Sequence, residues 1–317
     1  MLIGLSIAYS VIEVPLLNLV GNTPMVNVGG VSLKLEYMNP TGSHKDRTAL
    51  YMIRDASRNL RKGGYVIEYT SGNTGISVAW VAGILGYRAI ILVPQKTSIN
   101  KVNMIKLFNG EVKFVAENED GHMLAEDLAK RTEGVFLAQT RNMANFKAHY
   151  ETTGPEIARE TKHANCFVMG AGTAGTVYGA GKYLKEKLDM RVYALIPRGS
   201  YVQEILTGSS ENDREIMEGF SYHNFSELLH RAIEEEVIDE IIYVSSKEAI
   251  EGMRLLWNRG IPGGPTAGAN FYHALKLMKQ GCRPVTLVPD SIIRYPHLLE
   301  EIVREKMKSE EIEKSEN

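Results

Sequence analysis

Short runs of Val, Ile and Leu alternate along this chain with helix-like segments and with polar, glycine-containing loops. That alternation restricts the fold more than any other feature. Strands are expected at 31–36, 65–69, 89–93, 112–115, 134–137, 166–169, 192–196, 240–244 and 285–288. Helices are expected at 45–57, 76–85, 121–131, 177–187 and 247–258. Strands that read as continuous apolar runs are covered on both faces, and strand–helix alternation supplies that cover by parallel pairing. The expected class is α/β, with parallel-rich twisted sheets flanked by helices. At 317 residues the chain has room for one or two domains.

Several function classes drop out early. The formal net charge is -2 and the basic residues form no stripe with interleaved aromatics, so nucleic acid is not an expected partner. Cys166 and Cys282 are the only cysteines, without a CxxC or a Cys/His cluster. Neither a structural metal nor a disulfide framework is expected, which fits a reducing cytoplasm. The apolar start, 1–20, lacks a basic leader and is interrupted by Glu13 and Pro15. The apolar stretch 76–93 contains Gly83, Gly86 and Arg88, and reads as a helix, a stop and a strand rather than a membrane span. The charged tail from Glu300 reads as a solvated helix.

Three loops stand where open parallel sheets bind ligands. Asn39-Pro-Thr-Gly-Ser-His-Lys-Asp-Arg47 puts Lys45 at a helix start. A lone lysine is by default a solvated one, but a lysine on a rigid scaffold can form a Schiff base if its amine deprotonates easily. Thr70-Ser-Gly-Asn-Thr-Gly75 offers hydroxyls and backbone amides ahead of a helix, which suits a carboxylate or phosphate. Gly170-Ala-Gly-Thr-Ala-Gly-Thr176 satisfies G-x-G-x-x-G, so a dinucleotide fold is the natural rival. However, the next strand ends Ala194-Leu-Ile-Pro-Arg198, without the carboxylate that a dinucleotide ribose requires. A single phosphate held by backbone amides and by Thr173 and Thr176 is the better reading. One reactive lysine, one carboxylate site and one phosphate site suggest pyridoxal phosphate acting on an amino acid.

The chain resembles the fold-type II pyridoxal-phosphate family of cysteine synthases and cystathionine β-synthases over about residues 17–297. The resemblance is carried by Gly21-Asn-Thr-Pro24, Lys34-Leu-Glu36, the Lys45 loop, the Thr70–Gly75 loop, Gln139, the segment Asn145 to Ile157, the phosphate loop and Pro289-Asp-Ser-Ile-Ile-Arg-Tyr295. It implies that Lys45 binds the cofactor and moves the Cα proton, and that Asn73 meets the cofactor's 3'-oxygen. Thr70, Ser71, Thr74 and Gln139 would hold the substrate carboxylate. Gly172, Thr173, Ala174, Gly175 and Thr176 would cradle the phosphate, and Ser291 would face the pyridine nitrogen. The implied reaction is β-replacement on O-acetylserine or O-phosphoserine with sulfide, through an aminoacrylate, to give L-cysteine. A homodimer, a smaller mobile domain at 38–145 and a larger one at 1–37 plus 146–317 are implied as well.

The sequence departs from the family pattern at four places. Ala174 replaces a glycine in the phosphate loop, and would be strained there at positive φ. Gly264-Pro-Thr-Ala-Gly-Ala269 stands where Gly-Ile-Ser-Ser-Gly-Ala is usual, and 94–100 and the lid-like 216–221 also diverge. Cystathionine β-synthase, threonine synthase and serine/threonine dehydratase stay open as alternatives, as does a catalytically silent ligand-binding relative. His44 reads as a turn residue and His149 as structural. Arg198, Arg214 and Arg294 read as surface ion-pair residues rather than phosphate ligands.

Overall fold

The computed structural model describes residues 15–208 and 226–304. Two sheets organise them. The six-stranded sheet contains β1 (Met25–Val28), β2 (Val31–Lys34), β7 (Cys166–Gly170), β8 (Arg191–Pro197), β9 (Glu240–Val244) and β10 (Pro284–Leu287), in the order β1-β2-β10-β7-β8-β9. The four-stranded sheet contains β3 (Tyr65–Tyr69), β4 (Arg88–Pro94), β5 (Glu111–Val115) and β6 (Val135–Phe136), in the order β5-β4-β3-β6. Every pairing is parallel except β1 with β2. That hairpin turns on Gly29 and Gly30, both at positive φ, as a two-residue primed turn demands.

The helices are α1 (Lys45–Ala56), α2 (Asn73–Leu85), α3 (Ile99–Leu107), α4 (Gly121–Thr132), α5 (Met143–Ala148), α6 (Gly154–Glu160), α7 (Gly175–Leu188), α8 (Tyr201–Thr207), α9 (Glu227–Glu234), α10 (Ser246–Trp257) and α11 (Pro265–Met278). Helix α2 is buried along most of its length, because it lies between its own sheet and α1. One apolar core joins α1 and α2 to the four-stranded sheet. Two others cover the two faces of the six-stranded sheet.

Both sheets reverse their winding where the ligand loops lie. Strand β3 sits beside β6, with β4 on its other side, and the loops after β3 and β6 carry Thr70 and Gln139. Strand β7 sits beside β10, with β8 on its other side, and the loops after them carry Thr173 and Asp290. Such switch points open a crevice at the carboxyl ends of the strands.

The expected strands are all present, with ends moved by at most two residues; Glu36, for instance, falls in a short 3-10 turn after β2. Strand β1 and helices α3, α5, α6, α8, α9 and α11 were not anticipated. The segment Gly264–Ala269, noted above for its departure from the family pattern, forms the cap and first turn of α11, with Pro265 at the first helical position. The segments 216–221 and 305–317, Arg214 and the first fourteen residues lie outside the described residues.

Candidate active site

The two switch points face each other across a narrow cleft lined from both sheets. Four helices begin there. The first residues of α1 (Lys45), α2 (Asn73, Thr74), α7 (Thr176) and α11 (Thr266) line it, and none of these helices has a side-chain cap. By contrast, α4, α5, α8, α9 and α10 are capped by Asp120, Asn142, Ser200, Ser226 and Ser245. An uncapped helix start leaves amide donors and a positive dipole end for an anion.

Lys45 is held from both sides. The buried Asp46 carboxylate accepts from Thr41 N at 2.7 Å, from Thr41 Oγ1 at 2.5 Å and from Ser77 Oγ at 2.6 Å. The buried Arg47 guanidinium binds Glu36 and Glu156 through both of its ends, at 2.7–2.8 Å. Between these anchors the Lys45 ammonium reaches within 3.4 Å of Thr173 Oγ1. Burial lowers its pKa to about 8, against an opposing pull from the Glu68 carboxyl. Glu68, wholly buried on β3, is itself pushed up to about 8 by desolvation. Its Oε2 accepts from Gln139 N at 3.4 Å, and its Oε1 has no hydrogen-bond partner among the described residues.

On the β3 side Thr70, Ser71, Gly72, Asn73 and Thr74 all line the cleft, as does Gln139. Thr74 Oγ1 donates to Gln139 Oε1 at 2.7 Å, so the two expected carboxylate ligands are already joined. Asn73 Nδ2 donates to Asp290 Oδ2 at 2.6 Å.

On the β7 side Gly172, Thr173, Ala174 and Thr176 line the cleft; Gly175 supports it from behind. A Cβ on Gly175 would stand 2.2 Å from Asn145 Oδ1, so only glycine fits. Asn145 Nδ2 in turn donates to Thr173 Oγ1 at 3.1 Å and to Gln139 O at 2.8 Å, tying both loops together. Ala174 has φ of 64° and ψ of -3°, the left-handed conformation in which alanine is strained. Its methyl is buried.

Ser291 is not brought into this group. It lines a separate cavity with Tyr37, Met38 and Arg294, and its hydroxyl accepts from Ile293 N at 3.4 Å. A further hydroxyl that lines the cleft from the large-sheet side is that of Thr266, at the start of α11. The start of α11, rich in Gly, Pro and Ala, was legible as a departure from pattern but not as a helix, and with that the residue was missed. Lys101, Asp290 and Tyr295 also line the cleft without having been anticipated.

His44 and Arg294 have surroundings that the sequence did not announce, while His149 has the buried setting of a structural residue. His44 forms part of the cleft wall, with its pKa lowered to about 3 by burial and by the nearby Lys45 charge. His149 is buried beneath the phosphate loop, in a π-helical turn, with Nε2 at 3.1 Å from Thr176 Oγ1. Arg294 is packed over Gly42 rather than paired at the surface.

Comparison with known proteins places these features in context. Residues 12–289 match the family described as pyridoxal-phosphate dependent enzyme. The chain is 36% identical over 296 residues to a probable cysteine synthase of Bacillus subtilis, covering 87% of this chain and 91% of that one. It is 33% identical over 291 residues to cysteine synthase B of Campylobacter jejuni, covering 87% and 95%. Among solved structures, an O-ureido-L-serine synthase superposes with a TM-score of 0.79 at 29% identity, covering 88% and 92%. A hydrogen sulfide-producing enzyme of Fusobacterium nucleatum superposes with a TM-score of 0.79 at 32% identity, covering 88% of each chain.

Proposed function

The chain belongs to the pyridoxal-phosphate-dependent enzymes, and from that premise we propose that it replaces the β-substituent of an activated serine with sulfide to give L-cysteine. One observation carries this reading. A lysine amine that deprotonates near neutrality shares a single cleft with two separate uncapped helix starts, one suited to a carboxylate and one to a phosphate. The cysteine synthases among its relatives support the choice of substrate.

The residues present fit the cofactor. The phosphate cradle is closed to any side chain at Gly175, and Asn73 Nδ2, one N–H of which is taken by Asp290, keeps a second N–H that a ring oxygen can accept. Gly172, Thr173, Ala174 and Thr176 would hold the phosphate, with Gly175 allowing the close turn. Asn73 would meet the ring oxygen. Thr266 takes the place expected for Ser291 and would offer the ring nitrogen a neutral hydroxyl. When bound, pyridoxal phosphate supplies an aldehyde carbon for amines and a conjugated ring that withdraws electrons from Cα; a neutral partner at its nitrogen restrains that withdrawal.

The protein's own contribution is to bind, orient and move a proton. Thr70, Ser71, Thr74 and Gln139 fix the substrate carboxylate. Lys45 Nζ, neutral above its lowered pKa, accepts the Cα proton and can return it to the departing group. Asp46 and Arg47, each locked by buried partners, keep that amine from wandering. Closure of residues 38–145 toward the rest of the chain would exclude water from the cleft. A homodimer in the cytoplasm completes the proposal. Exposed Met38, Leu107 and Ile293 beside the second cavity offer apolar surface for a second copy to cover. No described helix is long and apolar enough to cross a membrane.

The test is a visible absorption spectrum of the purified protein with pyridoxal phosphate, before and after O-acetylserine or O-phosphoserine, followed by an assay for cysteine when sulfide is added. The expected result is a visible band absent from Lys45→Ala, altered by one donor, with cysteine formed. A band unmoved by either donor would overturn the substrate class.

A further inference from the structure

We propose that Asp290 is a positioning residue for the cofactor, selecting which end of the Asn73 carboxamide faces the cofactor's ring oxygen. This rests on Asn73 facing the cofactor, as proposed above. Asp290 Oδ2 accepts from Asn73 Nδ2 at 2.6 Å and from Tyr295 Oη at 2.5 Å. The carboxyl lines the cleft yet is only 2% exposed. Its backbone is fixed too: its carbonyl accepts from Gly264 N at 3.2 Å, and the residue bridges to Ser43 beside the Lys45 loop. The starts of α1, α2 and α11 therefore converge on this one residue.

The two ends of an asparagine amide have nearly the same shape, so packing alone does not decide which end faces a ligand. A carboxylate accepts hydrogen bonds and cannot donate them. By taking one N–H of Asn73, Asp290 leaves that amide's other N–H for the electron-rich ring oxygen. Asp290 Oδ1 has no hydrogen-bond partner among the described residues and lies against Gly264, where an added Cβ would come within 2.5 Å of it. The carboxyl thus has no room to turn away. The groups that face it are Tyr295 and Asn73 as donors, Lys101 from α3 and Arg294 as cations. Burial raises its pKa, and these four partners oppose that rise.

The chain Lys101–Tyr295–Asp290–Asn73 also crosses between the two sheets. Lys101 Nζ stands 4.9 Å from the Tyr295 ring centroid, reaching from the four-stranded side to a residue after β10. A negative charge held two hydrogen bonds from the ring oxygen, through the Asn73 amide, should raise the proton affinity of the cofactor's linkage to Lys45. The pH at which the visible band of the holoenzyme titrates therefore reads the charge of Asp290 directly.

The experiment compares wild type, Asp290→Asn and Tyr295→Phe, with apo-protein melting temperature as the check on folding. Pyridoxal phosphate affinity is measured by absorbance titration of the apo-protein, and the visible band is then followed against pH. Asp290→Asn is expected to bind the cofactor at least tenfold more weakly and to titrate at lower pH. Tyr295→Phe, which removes one donor but keeps the charge, is expected to titrate at higher pH. Should Asp290→Asn fail to fold, Tyr295→Phe decides the matter by itself. A folded variant with wild-type affinity and an unmoved titration would overturn the proposal. A wild type that binds no pyridoxal phosphate would defeat the assignment of the site itself, a result distinct from either variant's.

Discussion

Lys45 Nζ stands 3.4 Å from the Thr173 hydroxyl, so the amine that begins α1 touches the loop that begins α7, 128 residues further along the chain. Neither group is positioned by its own neighbours alone. Lys45 depends on the anchors of Asp46 and Arg47, and Thr173 on Asn145.

The Lys45 amine should react at a pH well below that of an ordinary lysine. Its pKa is lowered to about 8 by burial, so it is protonated and unreactive below that pH. Cofactor loading of the apo-protein, trapped by borohydride and located by mass spectrometry, is expected to rise through about pH 8. Glu68 opposes the lowering, so Glu68→Gln should move the midpoint to lower pH; a midpoint near that of free lysine would refute the assignment.

Removing Arg47 should unfold far more than it disables. Arg47→Met leaves Glu36 buried without its counter-charge, which costs about 3–5 kcal/mol. Urea unfolding of the variant would show this as a lower midpoint with an unchanged slope.

Acid should act on the same network. Burial pushes the Glu36 carboxyl up, but Arg47's charge and hydrogen bonds outweigh it and hold the pKa at about 2, against 4.5 when free. A carboxylate lowered in this way stabilises the fold above its unfolded pKa, and that contribution is lost as pH falls from about 4.5 towards 2. The loss amounts to about 3 kcal/mol. Thermal melts between pH 5 and pH 2 would follow it, and Glu36→Gln should flatten this part of the profile.

The phosphate loop should tolerate change at one position and refuse it at the next. For Ala174→Gly the ease gained at φ of 64° and the loss of a buried methyl are each about 1 kcal/mol, so stability should stay within about 1 kcal/mol of wild type. Ala174→Val puts a β-branched residue at positive φ and should cost about 2 kcal/mol or more. Gly175→Ala meets Asn145 at 2.2 Å and should release the cofactor. Melting temperatures and cofactor retention on dialysis check all three.

Thr74→Val should weaken substrate rather than cofactor. It removes the hydroxyl that donates to Gln139 at 2.7 Å, and with it one expected ligand of a charged carboxylate. A hydrogen bond to a charged group is worth about 1.5–3 kcal/mol, which predicts a fall of roughly 10- to 100-fold in kcat/KM. Cofactor affinity should stay unchanged.

The sequence alone determined the class and the chemistry. Apolar runs in strand length fixed parallel sheets, since they need cover on both faces. The three polar loops marked ligand sites, since helix starts and glycine turns expose amide donors. Lys45, Thr70, Asn73, Thr74, Thr173 and Thr176 lie in loops that local motifs announce and Gln139 was named through the family resemblance; all seven line one cleft. The strain at Ala174 was legible too, because a glycine-like position was filled by alanine. What only the tertiary structure decided was which distant residues complete the site. Ser291 carries a suggestive motif but lines another cavity, while Thr266 arrives on a helix buried on all sides through its first turns, which leaves no amphipathic period to read. Asp290 and Glu68 look like ordinary carboxylates in the sequence. They become buried, shifted groups only because strands far apart in the chain lie side by side, and long-range packing of that kind leaves no local pattern to read.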